Sequence, residues 1–374
     1  MQRLREVARG PDCDEKRRAT MFIRNAWYVA ARSAEVQQCL MPLKLLGERV
    51  VLFRAPDGAV TALEDACPHR KLPLSMGRLL GDRIECGYHG LTFDCAGTCV
   101  SAPALTRIPR AAQVRSYPTE ERYGLVWIWM GEARLADTAQ IFDVPEWGDP
   151  AWGLNEGDAM TVACNYLYVT DNLLDPSHVA WVHPGSFGNA ACEAEPLKTI
   201  ASDVGVTVSR WMRDVDVAPF YAKFVKFSGR CDRKQHYEVR FPSHAIIKAV
   251  FTPAGTGTDE GKQHDLVFLM NSYNFMTPID ESHTRYFWFQ MRNFDQQDEA
   301  VTRQFNEDVR HAFDEDRVIL EAVHEGMANR RTPNIDLGID AGPLRFRRAV
   351  QQLVDAEHVA PEYAPLVRLS TPAT

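Results

Sequence analysis

The sequence predicts an α+β chain of two domains, on three observations. The first half alternates short apolar strands with turns, the spacing of a small all-β domain. A stretch rich in Pro, Trp, Asp and Gly follows at 142–153 and reads as a connection. The second half mixes alternating strands with helical patterns. A length of 374 residues suits two domains, expected at 21–150 and 151–374 with 1–20 a disordered extension. The net charge of −8, with both signs scattered, argues against a basic stripe for nucleic acid. No apolar run approaches the roughly 18 residues that a spanning helix needs, so no membrane is expected. Nine cysteines are odd in number and too sparse for a disulfide scaffold. They read as reduced thiols or ligands in a cytoplasmic protein.

Taken in order, residues 1–20 are half charged and lack the apolar core of a signal peptide. Met21 opens a more foldable run and reads as the natural start. Residues 49–53 form a strand in this reading, Pro56-Asp57-Gly58 a turn, and 60–63 the returning strand. The pattern continues at 83–85, 91–93, the turn Ala96-Gly97 and 124–129.

Two loops in this region carry the strongest signal. They are Cys67-Pro68-His69-Arg70 and Cys86-Gly87-Tyr88-His89-Gly90. Each offers one thiolate and one imidazole, with sixteen residues between His69 and Cys86. A zinc finger groups its Cys pair and its His pair separately along the chain. Mixed loops facing each other put both sulfurs at one end and both nitrogens at the other. That suits a two-iron cluster with Cys67 and Cys86 on one iron and His69 and His89 on the other. Gly87 and Gly90 are expected to let backbone N–H groups approach the cluster sulfurs. A structural zinc site is the alternative. Cys95 and Cys99, just beyond, read as ordinary thiols.

In the second half, 206–211, 236–241 and 285–290 alternate like strands, and 254–262 is a Gly/Thr-rich surface loop. The stretch from Asp171 to His183 sets acids, an amide and two imidazoles in an apolar frame. His178 and His183 are candidates for a 2-His-1-carboxylate site, the usual cage for non-haem Fe(II), or else a structural pair. Asp171, Asp175 and His178, spaced by four and three, are expected on one helical face. His183 lies about 140° round a regular helix from His178, so the helix must distort or end before it. Pro176 implies either a helix start near Asp175 or a kink. Residues 301–323 read as a helix with an inward stripe of Phe305, Val309, Ala312, Ile319 and Val323, and Asp316 fills its gap. An inward carboxylate needs a partner, either a metal or an arginine such as Arg317 or Arg345. Asp314 and Glu315 read as solvated.

From Met21 onward the chain resembles the Rieske non-haem iron oxygenases, in the single-subunit branch that includes vanillate O-demethylase oxygenase and dicamba monooxygenase. The motifs are the two Cys/His loops, Asp171-Asn172-Leu173-Leu174-Asp175 before His178 and His183, and Thr277-Pro278 before Tyr286-Phe287-Trp288. Phe313-Asp314-Glu315-Asp316 before Glu321, and Asp340-Ala341-Gly342 with Arg347-Arg348, fit as well. The resemblance implies a Rieske [2Fe–2S] domain followed by a helix-grip-like domain of helices and antiparallel sheet. It implies one mononuclear Fe(II) on His178, His183 and Asp316, with Asn172 near it. It further implies a head-to-tail homotrimer in which Asp175 bridges His178 and the neighbouring subunit's cluster histidine. A separate flavin and iron–sulfur reductase, with or without a ferredoxin, would supply electrons from NAD(P)H. The expected reaction inserts oxygen from O2 into a small aromatic, by hydroxylation or oxidative O-demethylation. Ring cis-dihydroxylation and a Rieske electron carrier without catalytic iron are the alternatives. Several demethylating members of the family carry His three residues before Thr-Pro, where this chain has Asn274, so their substrate contacts do not transfer directly. Asn274 and Trp288 are the candidate substrate contacts, with Phe275, Met276, His264 and Arg285 as further possibilities; plain core is the commoner reading of Phe275, Met276 and Trp288, and a solvent-facing strand position that of Asn274 and His264.

Overall fold

The computed structural model describes residues 21–103, 105–257, 266–329 and 331–360. The extension at 1–20, His264 and part of the 254–262 loop lie outside the described residues.

The N-terminal half is built from three small antiparallel sheets. One holds β2 (Met41–Leu45), β3 (Glu48–Arg54), β4 (Val60–Glu64) and β9 (Ser116–Tyr117). The second holds β5 (Arg78–Leu80), β6 (Arg83–Glu85), β7 (Thr92–Phe93) and β8 (Cys99–Ser101). The third holds β1 (Trp27–Arg32), β11 (Leu125–Trp129) and β10 (Thr119–Arg122). The expected strands match β3, β4, β6, β7 and β11 to within a residue at their starts or ends, and the expected turns lie between strands.

The second half is organised on a seven-stranded antiparallel sheet. Its spatial order is β12 (Gly153–Val162), β18 (His283–Arg292), β17 (Phe268–Asp280), β16 (His244–Pro253), β15 (Cys231–Arg240), β14 (Gly205–Val215), β13 (Lys198–Ser202). Alternation along each strand divides its side chains between two layers. On one face Tyr273, Phe275, Phe287 and Phe289 pack against Trp27, Trp127 and Trp129 of the N-terminal half. Thr277 Oγ1 donates to the Val29 carbonyl at 2.7 Å, and His244 Nε2 meets the Trp27 carbonyl at 2.9 Å. On the other face Met270, Met276, Tyr286 and Trp288 join the core beneath the helices.

Those helices are α1 (Tyr166–Asn172), α2 (Val179–Val182), α3 (Ala191–Ala194), α4 (Pro219–Ala222), α5 (Glu299–Gly326) and α6 (Ala341–Val359). Asp298 caps α5 by accepting from the Ala300 and Val301 N–H groups. Its buried stripe is Phe305, Val309, Ala312 and Leu320. Ile319 and Val323, expected inside, are 45% and 42% exposed. The stripe steps by four from Ala312 to Asp316 and again to Leu320, so the expectation slipped after 316 while 316 itself stayed inward. Among the described residues no helix is long and apolar enough to cross a membrane.

α6 clamps the molecule at both of its ends. Asp171 on α1 accepts a two-pronged ion pair from Arg347, with contacts of 2.8 and 3.0 Å to Nε. A Cβ on Gly342 would meet the Val208 side chain at 2.6 Å and the Leu174 carbonyl at 3.2 Å, so only glycine lets α6 approach the end of α1. Near its far end, Glu357 accepts from the Arg24 and Asn25 backbone N–H groups at 2.7 and 2.8 Å.

Candidate metal centres and the cavity at the second

The two Cys/His loops are backbone copies of each other. Cys67 N–H donates to the Leu72 carbonyl at 2.9 Å, and Lys71 N–H to the Cys67 carbonyl at 2.8 Å. Cys86 N–H donates to the Leu91 carbonyl at 2.8 Å, and Gly90 N–H to the Cys86 carbonyl at 3.1 Å. The fourth residue after each cysteine takes a left-handed turn, with φ of 59° at Lys71 and 71° at Gly90. Cys67 and Cys86 are buried, whereas His69 and His89 are exposed. The two imidazole rings stand 4.5 Å apart, and Tyr88 lies over His89 at 3.9 Å. Burial holds the Cys67 thiol above its ordinary pKa, a cost that thiolate ligation would offset. Sulfurs inside and nitrogens outside fit a Rieske cluster. Gly87 has a steric reason to be glycine. A Cβ there would meet the Met76 carbonyl at 2.9 Å, so it makes room for the 74–76 turn.

The second site is assembled around a broken helix. α1 stops at Asn172, short of Pro176, which has no N–H to continue it. The Asp175 carboxylate accepts the Ser177 N–H at 2.9 Å and closes a turn. α2 then runs for four residues, with His178 immediately before it and His183 immediately after. The single helical face expected for Asp171, Asp175 and His178 therefore does not exist, and neither does a kinked continuous helix. The break itself aims both imidazoles at α5.

There they meet Asp316. Its Oδ1 lies 3.1 Å from His183 Nε2 and 3.5 Å from His178 Nε2. The candidate ligand atoms of all three residues lie within 4.8 Å of one another. His178 Nδ1 donates to the Asp175 carbonyl, and His183 Nδ1 to the Glu315 carboxylate at 2.7 Å. Each ring thus keeps its Nε2 lone pair directed at the common point. Glu315, expected to be solvated, orients His183. Asn172 Nδ2 donates to Asp316 Oδ1 at 3.1 Å. Neither candidate arginine reaches Asp316. Arg317 pairs with Asp314 and Glu321, and Arg345 donates to the Thr199 carbonyl. Burial lowers the His183 pKa, and the Asp316 and Glu315 carboxylates outweigh it, so the net shift is upward. Such a site favours positive charge. Two neutral imidazoles and one carboxylate on a common point fit a divalent iron.

The three side chains open onto a shared cavity. Phe187, Ile247, Val309 and Phe313 line it with apolar surface, and Tyr221, Tyr237, Ser272, Asn274 and Gln290 add polar groups. Asn274 lies in the cavity wall. Trp288 packs behind it in the core, 4.9 Å from the Phe313 ring. Phe275 lies on the opposite face of the sheet, Met276 in the core, and Arg285 beside Thr161. Ser272 and Gln290 went unread in the sequence, although both fall two residues along the strand from a singled-out position, Asn274 and Trp288.

Residues 162–356 match the vanillate O-demethylase oxygenase C-terminal domain, and 26–118 match the Rieske [2Fe–2S] domain. The chain belongs to the Rieske non-haem iron oxygenases. A toluene-4-sulfonate monooxygenase system iron–sulfur subunit from Comamonas testosteroni is 37% identical, covering 90% of this chain and 99% of that one. A vanillate O-demethylase oxygenase subunit from Pseudomonas sp. strain HR199 is 34% identical over 93% and 99%. The crystal structure of dicamba monooxygenase bound to dicamba superposes with a TM-score of 0.80 at 32% identity, covering 91% of this chain and all of that one. This oxygenase therefore carries a Rieske cluster and a mononuclear iron, and an electron carrier without catalytic iron is set aside.

Proposed function

We propose that this oxygenase component hydroxylates or oxidatively O-demethylates a small aromatic acid. Cys67, His69, Cys86 and His89 would hold the cluster, and His178, His183 and Asp316 the iron, with the domains dividing near residue 150. The observation that carries the reading is the His178–His183–Asp316 convergence at an apolar cavity. Bound there, the two centres would supply stored electrons and oxygen activation. The protein's part is geometric. Asp175 and Glu315 fix the two imidazole tautomers, Asn172 holds the Asp316 carboxylate, and Phe187 and Phe313 keep bulk water from the substrate. Arg210 and Arg233, 5% and 1% exposed, stand behind the Tyr237 and Tyr221 walls. Among the described residues their hydrogen bonds go to carbonyls, an amide and a thiol, not to a carboxylate. Buried cations so placed favour an anionic substrate. Relatives named for vanillate, dicamba and toluene-4-sulfonate agree with that.

Electrons would come from NAD(P)H through a flavin and iron–sulfur reductase in the cytoplasm, with or without a ferredoxin. A head-to-tail homotrimer is part of the same proposal. Asn172 and His178 line both the cavity and a surface groove that also holds Asp175 and Arg347. Apolar Val323, Met327 and Ile335 border that groove, while Met76 and Tyr88 stand exposed at the cluster loops. Docking of one patch on the other would be a heterologous contact, the kind that gives a ring when its rotation closes. The test is turnover with a compatible reductase, scoring formaldehyde and hydroxylated product. A cis-diol product would make it a dihydroxylating enzyme, and a monomer by sedimentation would remove the trimer.

A further inference from the structure

Four side chains on β17 and β18 form a hydrogen-bond relay whose polarity is set from one end. Asn274 is fully buried, and its Nδ2 donates to the Ser272 carbonyl at 2.9 Å, a group that can only accept. The amide orientation is thereby fixed, and Asn274 Oδ1 accepts from the Tyr286 hydroxyl at 3.0 Å and from Ser272 Oγ at 3.3 Å. With its one proton so committed, Ser272 Oγ accepts from Gln290 Nε2 at 3.2 Å. Turning the Gln290 amide over would set two acceptors against that single proton. The relay therefore ends on Gln290 Oε1. This oxygen belongs to a fully buried side chain, has no hydrogen-bond partner among the described residues, and sits on a residue lining the cavity.

We infer that Gln290 reads a hydrogen-bond donor on the substrate: a hydroxyl, or an amine or amide N–H. The inference rests on the cavity being the substrate site, as proposed above. A buried carbonyl left unpaired is costly, so a donor there strengthens binding, while an ether oxygen or a halogen leaves the deficit in place. The selection is by polarity rather than by size. It also constrains the reaction. The oxygen of a methyl ether is an acceptor and cannot face another acceptor, so the ether under attack and the group being read are different substituents on the ring.

Calorimetric binding of matched probes to the metal-loaded protein tests this. The probes are benzoates and benzenesulfonates bearing hydroxyl, amino or fluorine at the same ring position. At one or more positions, hydroxyl and amino members should bind about tenfold tighter than the fluoro member. Gln290→Leu should bring each pair within about twofold, with the circular dichroism spectrum unchanged. Ser272→Ala frees the amide to turn and should also erode the preference, which a purely structural role for Gln290 would not produce. Equal binding at every position, binding of no member, or a preference that survives Gln290→Leu overturns the inference. Reductase-coupled product formation is scored separately. Product without discrimination removes the Gln290 role alone, and discrimination without product removes the oxygenase substrate reading alone.

Discussion

The proposed cluster ligands lie on two loops of the N-terminal half, each closed by its own backbone hydrogen bonds within six residues. The proposed iron ligands join a helix break at 178–183 to a helical turn 133 residues further along the chain. A loop that closes on itself needs only its flanking strands, whereas the triad exists only when α2 and α5 are correctly docked. The two sites should therefore fail separately. Asp316→Ala should abolish product formation and lower the iron content from about three to about two per chain, with the Rieske visible spectrum intact. Cys86→Ser should bleach that spectrum and leave the mononuclear iron. Joint loss of both metals in either variant breaks the comparison.

Asp175 supplies a ligand to neither metal and is proposed to join the two sites. Its carboxylate holds the 175–177 turn and its carbonyl orients His178, while the side chain borders the surface groove. Asp175→Asn keeps the turn, because the amide oxygen can still accept the Ser177 N–H, but removes the charge. We expect both metals to remain bound and turnover to fall about 100-fold. Rapid reduction of the cluster followed by slow product formation in a single turnover is the signature to look for. Normal turnover ends the bridging proposal.

Why one region was legible and the other only in part follows from the same contrast. Spacing within a loop is visible in the sequence, and Cys67, His69, Cys86 and His89 fall together as that spacing implied. Asp316 was reachable because α5 is long and its period is regular. Glu315, one residue away, read as solvated because no periodicity reveals that α2 ends with His183 Nδ1 beside it. The helix ends before His183 as the spacing requires, but the upstream break was legible only in part, for a related reason. Pro176 marks a boundary, but the Asp171–Arg347 pair and the approach of Gly342 to Leu174, both long-range, settle on which side it falls. Trp288 and Gln290 share a strand face, and only the position of Phe313 decides which of them meets the cavity.

The contact between the two halves offers a third way to sharpen the comparison, through pH. His244 is buried among the Trp127, Phe142 and Phe275 rings, with Nε2–H donating to the Trp27 carbonyl. Burial, partly opposed by that backbone bond, lowers its pKa to about 4. The folded state binds the proton less well than the unfolded one, so stability is complete above the unfolded value near 6.5. It is lost as pH falls towards 4, by roughly 3 kcal/mol from this group. Urea midpoints measured from pH 7 to 4 should fall more steeply for the wild type than for His244→Gln, whose amide keeps a donor but takes up no proton. The metal sites are common to both proteins and cancel. Parallel curves would mean that His244 does not titrate on unfolding.

The smallest expected effect lies inside the cluster loops, where two equivalent backbones carry different residues. Gly90 and Lys71 both take left-handed φ, which costs a side-chain-bearing residue about 1 kcal/mol. Gly90 has a second reason to be glycine, since a Cβ there would stand 3.3 Å from Pro103 Cγ. Gly90→Ala should lower the urea midpoint for cluster bleaching by about 1–2 kcal/mol equivalent, whereas Lys71→Gly should raise it by roughly 0.5 kcal/mol. Gly90→Asn separates the two causes, because Asn tolerates the left-handed turn but still brings a Cβ to Pro103. If Asn is as harmful as Ala, crowding against Pro103 dominates. If Asn is nearly neutral, backbone conformation alone decides, and the two loops are equivalent in energy as well as in shape.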